Sequence, residues 1–267
     1  MQLPQMSLPK LLAPLFALLL LIPAGCAKSP SGGSTSPVSG PQLLVTMTVS
    51  GNINPAYYYY ILFNVNNTPG PSNTSVTGPV PVVATPYGNG YAAGAFTNYV
   101  EYNSTQTGGT NFNYYAVDST LFNSQPLGQA HLIQAQAVGN TLTFQLPLAY
   151  LATSTATVDQ INSLQVNFIS TNIVPVNGQN ITNAKYFDAL YPPQQAGNSY
   201  VNLIIRNVDG TLMPGIYSNS TSGVNEGSGD VAQYVNGVPE IVSGTTSDGV
   251  TTNDLDITNW TIQLTGQ

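Results

Sequence analysis

For imidazole or thiol chemistry this sequence offers one histidine, His131, and one cysteine, Cys26. A Ser-His-Asp or Cys-His relay would rest on that single imidazole. His131 stands in an alternating run beside Ala130 and Leu132, where a strand histidine with one satisfied hydrogen bond is the expected role. Zinc finds neither a cysteine pair nor a second histidine. A hydrolase working with two carboxyls needs them about 5–9 Å apart in a cleft; Glu101, Asp118, Asp188 and Asp209 are scattered candidates that no spacing pairs. Asp248, Asp254 and Asp256, with Asn253, offer hard oxygen ligands of the kind calcium takes, but not in the order of an EF-hand loop. Solvated acids on an exposed turn are the competing reading. Gly88-Asn89-Gly90 lacks the lysine and the following helix of a phosphate loop. No catalytic residue, metal or cofactor is assigned on these grounds.

Tyrosine is the residue present in quantity. Ten of the sixteen fall between Tyr57 and Tyr115, interleaved with asparagine. Sugars bind by stacking a pyranose face on an aromatic ring with amides around it, so Tyr57, Tyr59, Tyr99, Tyr102 and Tyr114 are candidates for a glycan-binding face. The alternative is that tyrosine serves as a strand residue with one apolar and one polar end. The two readings differ in where the rings point.

The elements that must hold these residues are constrained by composition. Only 6% of the 267 residues are charged, against about a quarter in an average soluble domain. Asn, Thr, Ser, Gln and Tyr must therefore fill the surface, which changes its charge little with pH and suits an exported protein in acidic surroundings. Four Lys and Arg stand against eleven Asp and Glu, which excludes a basic nucleic-acid footprint.

Residues 1–25 read as a signal peptide: Lys10 supplies the basic end, and Leu11 to Ile22 is an apolar run too short to cross a bilayer core of roughly 30 Å. Ala24-Gly25-Cys26 resembles the lipobox of bacterial lipoproteins, with Pro23 where that family usually holds leucine. The resemblance implies cleavage before Cys26 and lipidation of its thiol, several acyl chains being needed to hold a protein firmly. Residues 26–41 then form a Ser, Gly and Pro-rich linker with a reach on the order of 20 Å. Ala27 rather than aspartate after the cysteine favours an outer destination, at the cell surface or in the periplasm. With Cys26 lipidated no disulfide can form in the mature chain, and stability rests on core burial.

Residues 42–267 read as one all-β domain, an antiparallel β-sandwich. Leu43, Val45, Met47 and Val49 alternate with polar or outward residues, the period of a half-buried strand. Ala56 to Val65 is apolar on both faces and reads as a central strand. Further strands are expected at Val80 to Thr85, Ala95 to Tyr102, Phe112 to Val117, His131 to Val138, Thr141 to Leu146, Leu164 to Val174, Tyr200 to Arg206 and Ile257 to Leu264. Gly139-Asn140 matches a two-residue hairpin turn. Pro147 to Leu151 and Thr157 to Ser163 are the helical openings. Val208 to Leu255 is loop-like, with short strands expected at Val231 to Val235 and Pro239 to Val242.

The stretch Tyr60-Ile61-Leu62-Phe63-Asn64-Val65-Asn66-Asn67, followed by a Gly/Pro loop and later by Gly139-Asn140-Thr-Leu-Thr-Phe-Gln-Leu-Pro-Leu, resembles the β-sandwich of the DOMON and family-9 carbohydrate-binding-module group over Ala56 to Leu151. Haem-binding members of that group use Met and His, for which this chain has Met47 or Met213 with His131; no spacing ties them together. The reading at this level is an exported, lipid-anchored β-sandwich with a non-catalytic binding or structural role in the envelope. Its partners would be the membrane, through the anchor, and a polysaccharide or another envelope protein. A carbohydrate-binding surface protein is the first alternative and a carboxylate-dependent extracellular hydrolase the second.

Overall fold

The computed structural model describes residues 39–67, 78–83, 88–106, 110–118, 123–128, 131–154, 156–175, 183–190, 200–222, 228–235 and 238–266. The expected signal peptide, Cys26 and Ala130 lie outside them. Among the described residues no helix is long and apolar enough to cross a membrane.

Strand β1 (Gln42–Val49) buries Leu43, Val45, Met47 and Val49, as its alternation requires, and lies at the centre of a five-stranded antiparallel sheet. Its neighbours are β9 (Thr141–Pro147) and β16 (Ile257–Thr265); β8 (Ile133–Val138) and β13 (Gly215–Ser218) form the edges. Val45 stands opposite Phe144 and Ile262, so apolar residues form cross-strand rows on the inner face. On the other face Thr46 lies between Thr143 and Thr261, and Thr48 between Thr141 and Asn259. These threonine rows show how the domain makes a polar surface almost without charge. The β8–β9 turn has positive φ at Gly139 but not at Asn140, the pattern of a type II′ hairpin.

The second sheet has nine strands. Its central pair is β2 (Tyr58–Asn66) with β10 (Ser163–Thr171), and β10 is buried at every residue. Beyond β2 follow β5 (Asn98–Tyr102), β6 (Phe112–Asp118) and β7 (Asn123–Pro126). The other edge of β10 is shared by β12 (Val201–Ile204) and by β11 (Tyr186–Ala189), which leads to β14 (Ala232–Val235) and β15 (Val238–Ile241). A strand buried on both faces needs a cover on each. The five-stranded sheet covers the inner face, through a core that includes Ile61, Phe63, Val100, Phe112, Phe168 and Trp260. On the outer face, residues 88–97 and the small hairpin of β3 (Val80–Pro81) with β4 (Ala92–Ala93) pack over Tyr60, Leu62, Tyr99 and Ile169.

The β-sandwich expectation is thus met, with differences in detail. Ala95 to Thr97 precede β5 rather than belonging to it, and the Val80 strand keeps only Val80–Pro81 among the described residues. The helical openings are single 3₁₀ turns, Leu148–Leu151 and Val158–Gln160. Strands β4, β7, β11 and β13 were not expected; each has at most four residues, too few to display a period.

Candidate functional site

The run Tyr57 to Tyr60 must divide between two faces, because successive strand residues point to opposite sides. Tyr59 of β2, Tyr102 of β5 and Tyr114 of β6 point between the sheets and are 0%, 6% and 0% exposed. Their polar ends are accommodated where burial requires it. The Tyr59 hydroxyl donates to the Asp254 carbonyl at 2.7 Å, and Tyr114 donates to the Tyr150 carbonyl at 2.7 Å. Tyr57 is half-buried, its hydroxyl accepting from the Thr251 N–H at 3.1 Å. Tyr59, Tyr102 and Tyr114 are therefore core residues with no ring face to offer a sugar, which corrects the platform reading for these three.

The outer face of the same sheet carries a second set. Tyr60 stacks on Tyr91 with centroids 4.4 Å apart, Tyr99 stacks on Tyr115 at 4.5 Å, and Tyr60 meets Tyr99 edge-on at 6.0 Å. Of the five tyrosines singled out by sequence, only Tyr99 belongs here, and it is itself buried in the stack.

Beside the stack opens a cleft of about 740 Å³, lined by Asn64, Asn89, Tyr91, Phe96, Thr97 and Val117 together with the chain between Ala92 and Ala95. Its wall is built to stay in place. Asn89 Oδ1 accepts from the N–H groups of Tyr91 and Ala92 at 3.1 and 3.0 Å, and the Lys185 ammonium donates to the Gly90 carbonyl. Burial lowers the Lys185 pKa to about 8. Gly90 has φ +88°, and a Cβ there would come within 2.7 Å of the Pro175 carbonyl and of Val174. Gly90→Ala combines backbone strain with a collision and is expected to cost about 2 kcal/mol or more in urea denaturation. A neutral result would mean that the wall is not docked on residues 174–175.

Glu101 lies on this outer face, directly opposite Tyr60, and is 8% exposed. Its carboxyl accepts hydrogen bonds from the Tyr60 hydroxyl and the Gln106 amide, and burial raises its pKa to about 7 against those stabilising bonds. The Gln106 carbonyl oxygen accepts in turn from the Tyr115 hydroxyl at 2.9 Å and from Asn113 at 3.2 Å. Sequence spacing named Glu101 only as one of several scattered acids; the signal available was a glutamate inside an otherwise aromatic and apolar strand.

At the opposite face the structure gathers Asp188, Asp230 and Asp256, with one oxygen from each within 4.8 Å of the others. Asp188 is fully buried and accepts from the N–H groups of Ala189 at 2.8 Å and Ile257 at 2.6 Å; Asp256 accepts from Gly229 at 2.8 Å. Burial first, and the Asp230 and Asp256 carboxylates next, push Asp188 well above the usual carboxylate range. A proton held on Asp188 would offset the repulsion, and the oxygen set would also suit a hard cation of the calcium type. Of the calcium candidates named from sequence, only Asp256 takes part. Asp254 accepts from the Asn52 N–H at 2.9 Å and Asp248 from the Ala184 N–H at 3.1 Å, each bracing a turn.

Glu101, Asp188 and Asp209, the described acids among those considered for hydrolysis, are not paired with one another; the Asp118 side chain lies outside the described positions. Asp188 shares the inner face of the sheet with Tyr59, Glu101 lies on the outer face, and Asp209 is exposed and bonded to the Thr211 N–H at 2.8 Å. His131 lies just before β8, edge-on to Tyr150 at 4.5 Å, and its buried Nδ1 has no hydrogen-bond partner. Its ring packs against those of Tyr114 and Tyr150. Met47 is sealed in the core and Met213 is exposed.

No protein-family model, no curated protein and no solved structure matches this chain.

Proposed function

We propose that this chain is a lipid-anchored envelope protein that acts by binding, and that its domain takes a saccharide in the outer-face cleft. The observation that carries the binding reading is the lining of that cleft: the aromatic residues Tyr91 and Phe96 beside the amides of Asn64 and Asn89. A pyranose has one apolar face and a rim of hydroxyls, and this combination meets both. The sequence resemblance to carbohydrate-binding sandwiches over Ala56 to Leu151 and the sparsely charged, amide-rich surface favour the same class of ligand. Anchoring rests on Cys26 and the Ser/Gly/Pro linker behind it. Hydrolysis is not favoured by the acidic cluster, since Asp188 is fully buried and out of reach of a polymer.

Two measurements test the two halves. In cell fractionation Cys26→Ser should move the protein from the membrane to the soluble fraction; continued retention would refute lipidation at that residue. On columns of immobilised chitin, xylan, cellulose and peptidoglycan, the Cys26→Ser protein should be retained by at least one polymer. Phe96→Ala should weaken that retention about tenfold, in line with the loss of an aromatic contact. Retention by none of the four sinks the saccharide reading.

A further inference from the structure

We propose that the patch around Glu101 is a binding site for an organic ammonium group, with the carboxylate as counter-charge and tyrosine rings as walls. The site is separate from the cleft: Glu101 lies level with Tyr60, four residues along β2 from Asn64, or about 13 Å at strand spacing. It rests on its own observations and does not depend on the saccharide reading.

The chain places a carboxyl where its charge is costly and, among the described residues, supplies no cation for it. The groups facing Glu101 are Tyr58 and Tyr60 from β2, Tyr99 from its own strand, Asn113 and Tyr115 from β6, and Gln106 from the turn after β5. All are neutral at pH 7. The Lys and Arg side chains among the described residues are engaged elsewhere, Lys185 on the Gly90 carbonyl and Arg206 in an ion pair with Asp159.

The walls have the chemistry of a cation site. Tyrosine ring faces carry partial negative charge and attract cations whose centres come within about 6 Å of the ring. Tyr60 and Tyr99 already have faces covered by Tyr91 and Tyr115. Tyr58 and Tyr115 are only half-buried, and they flank Glu101 from the strands on either side. Burial first and the Glu101 carboxylate second raise the pKa of both hydroxyls, which places both within its field. A hard metal ion would require six or more oxygens, and here one carboxylate stands among aromatic rings. A weakly hydrated ammonium, primary or quaternary, matches a single negative charge with apolar walls.

The test is a calorimetric titration of the full-length Cys26→Ser protein with choline chloride at pH 8, with sodium chloride at equal ionic strength as the control. Saturable choline binding is expected, and it should weaken about 100-fold at pH 5, where Glu101 is protonated. Glu101→Gln should lose at least tenfold in affinity and abolish the pH dependence. Tyr58→Ala should lose several-fold while keeping it. No saturable binding at pH 8, or equal affinity in Glu101→Gln, would overturn the proposal.

Discussion

Trp260→Ala is expected to remove about 3–5 kcal/mol of folding free energy, the range for truncating a large aromatic in a packed core. Trp260 is fully buried on β16, and its ring lies 5.6 Å from that of Phe168 on the facing sheet, tilted by 31°. It sits opposite Met47 of the central strand, so the side chain ties three strands across both layers. The indole Nε1 is buried without a hydrogen-bond partner, which makes the polar end of this residue a cost. Trp260→Phe discards that donor while keeping much of the apolar volume, and is expected to cost about 1 kcal/mol or less. Urea denaturation of the two variants checks both numbers. An alanine variant within 1 kcal/mol of the parent would mean that the sheets are not held together through this contact.

The second large effect is on pH dependence, and its sign is unusual for an acid. Glu101 binds its proton more tightly in the folded domain, at about 7 against an ordinary 4.5. The favourable contribution of the protonated group is complete below about pH 4.5 and is lost as the pH rises through about 7. The difference amounts to about 3 kcal/mol. Asp188, also raised by burial and by its carboxylate neighbours, acts in the same direction. Lys185 works outside this window, since its cost develops as the pH falls from its ordinary value of 10.5 to about 8 and is constant below. The domain should therefore be more stable at pH 5 than at pH 8. Glu101→Gln should stabilise it by about 2–3 kcal/mol at pH 8 and change little at pH 4. Melting curves of both proteins at the two pH values test this; a parent domain that is less stable at pH 5 contradicts it.

The parts of the fold that sequence made legible are those where a period runs long enough to count. Strand β1 shows four inward apolar residues in eight, and Gly139-Asn140 is flanked by two alternating runs, so both strand and turn follow from local chemistry. Strand β11 is four residues long and carries a carboxyl, Asp188, at a fully buried position, which is the opposite of a strand signature. The tyrosine run was visible, but its division between core and outer face depends on where β2 begins, and a shift of one residue would exchange Tyr59 for Tyr58 and Tyr60. The acidic cluster draws on β11, on Asp230 just before Ala232–Val235 and on Asp256 just before Ile257–Thr265. Residues this far apart meet only through sheet order, which no spacing along the chain reveals. The lining of the cleft shows the same dependence, since Asn64, Phe96 and Val117 come from separate segments brought together by β2, β5 and β6.

The claim that binding takes place on the outer face of the nine-stranded sheet is tested most directly by amide chemical-shift mapping. Spectra of the Cys26→Ser protein would be recorded with and without a soluble oligomer of whichever polymer retains it. Shifts concentrated at Asn64, Asn89 to Thr97 and Val117 are the predicted result. Shifts confined to the threonine rows of the five-stranded sheet, with the cleft residues unmoved, would contradict it.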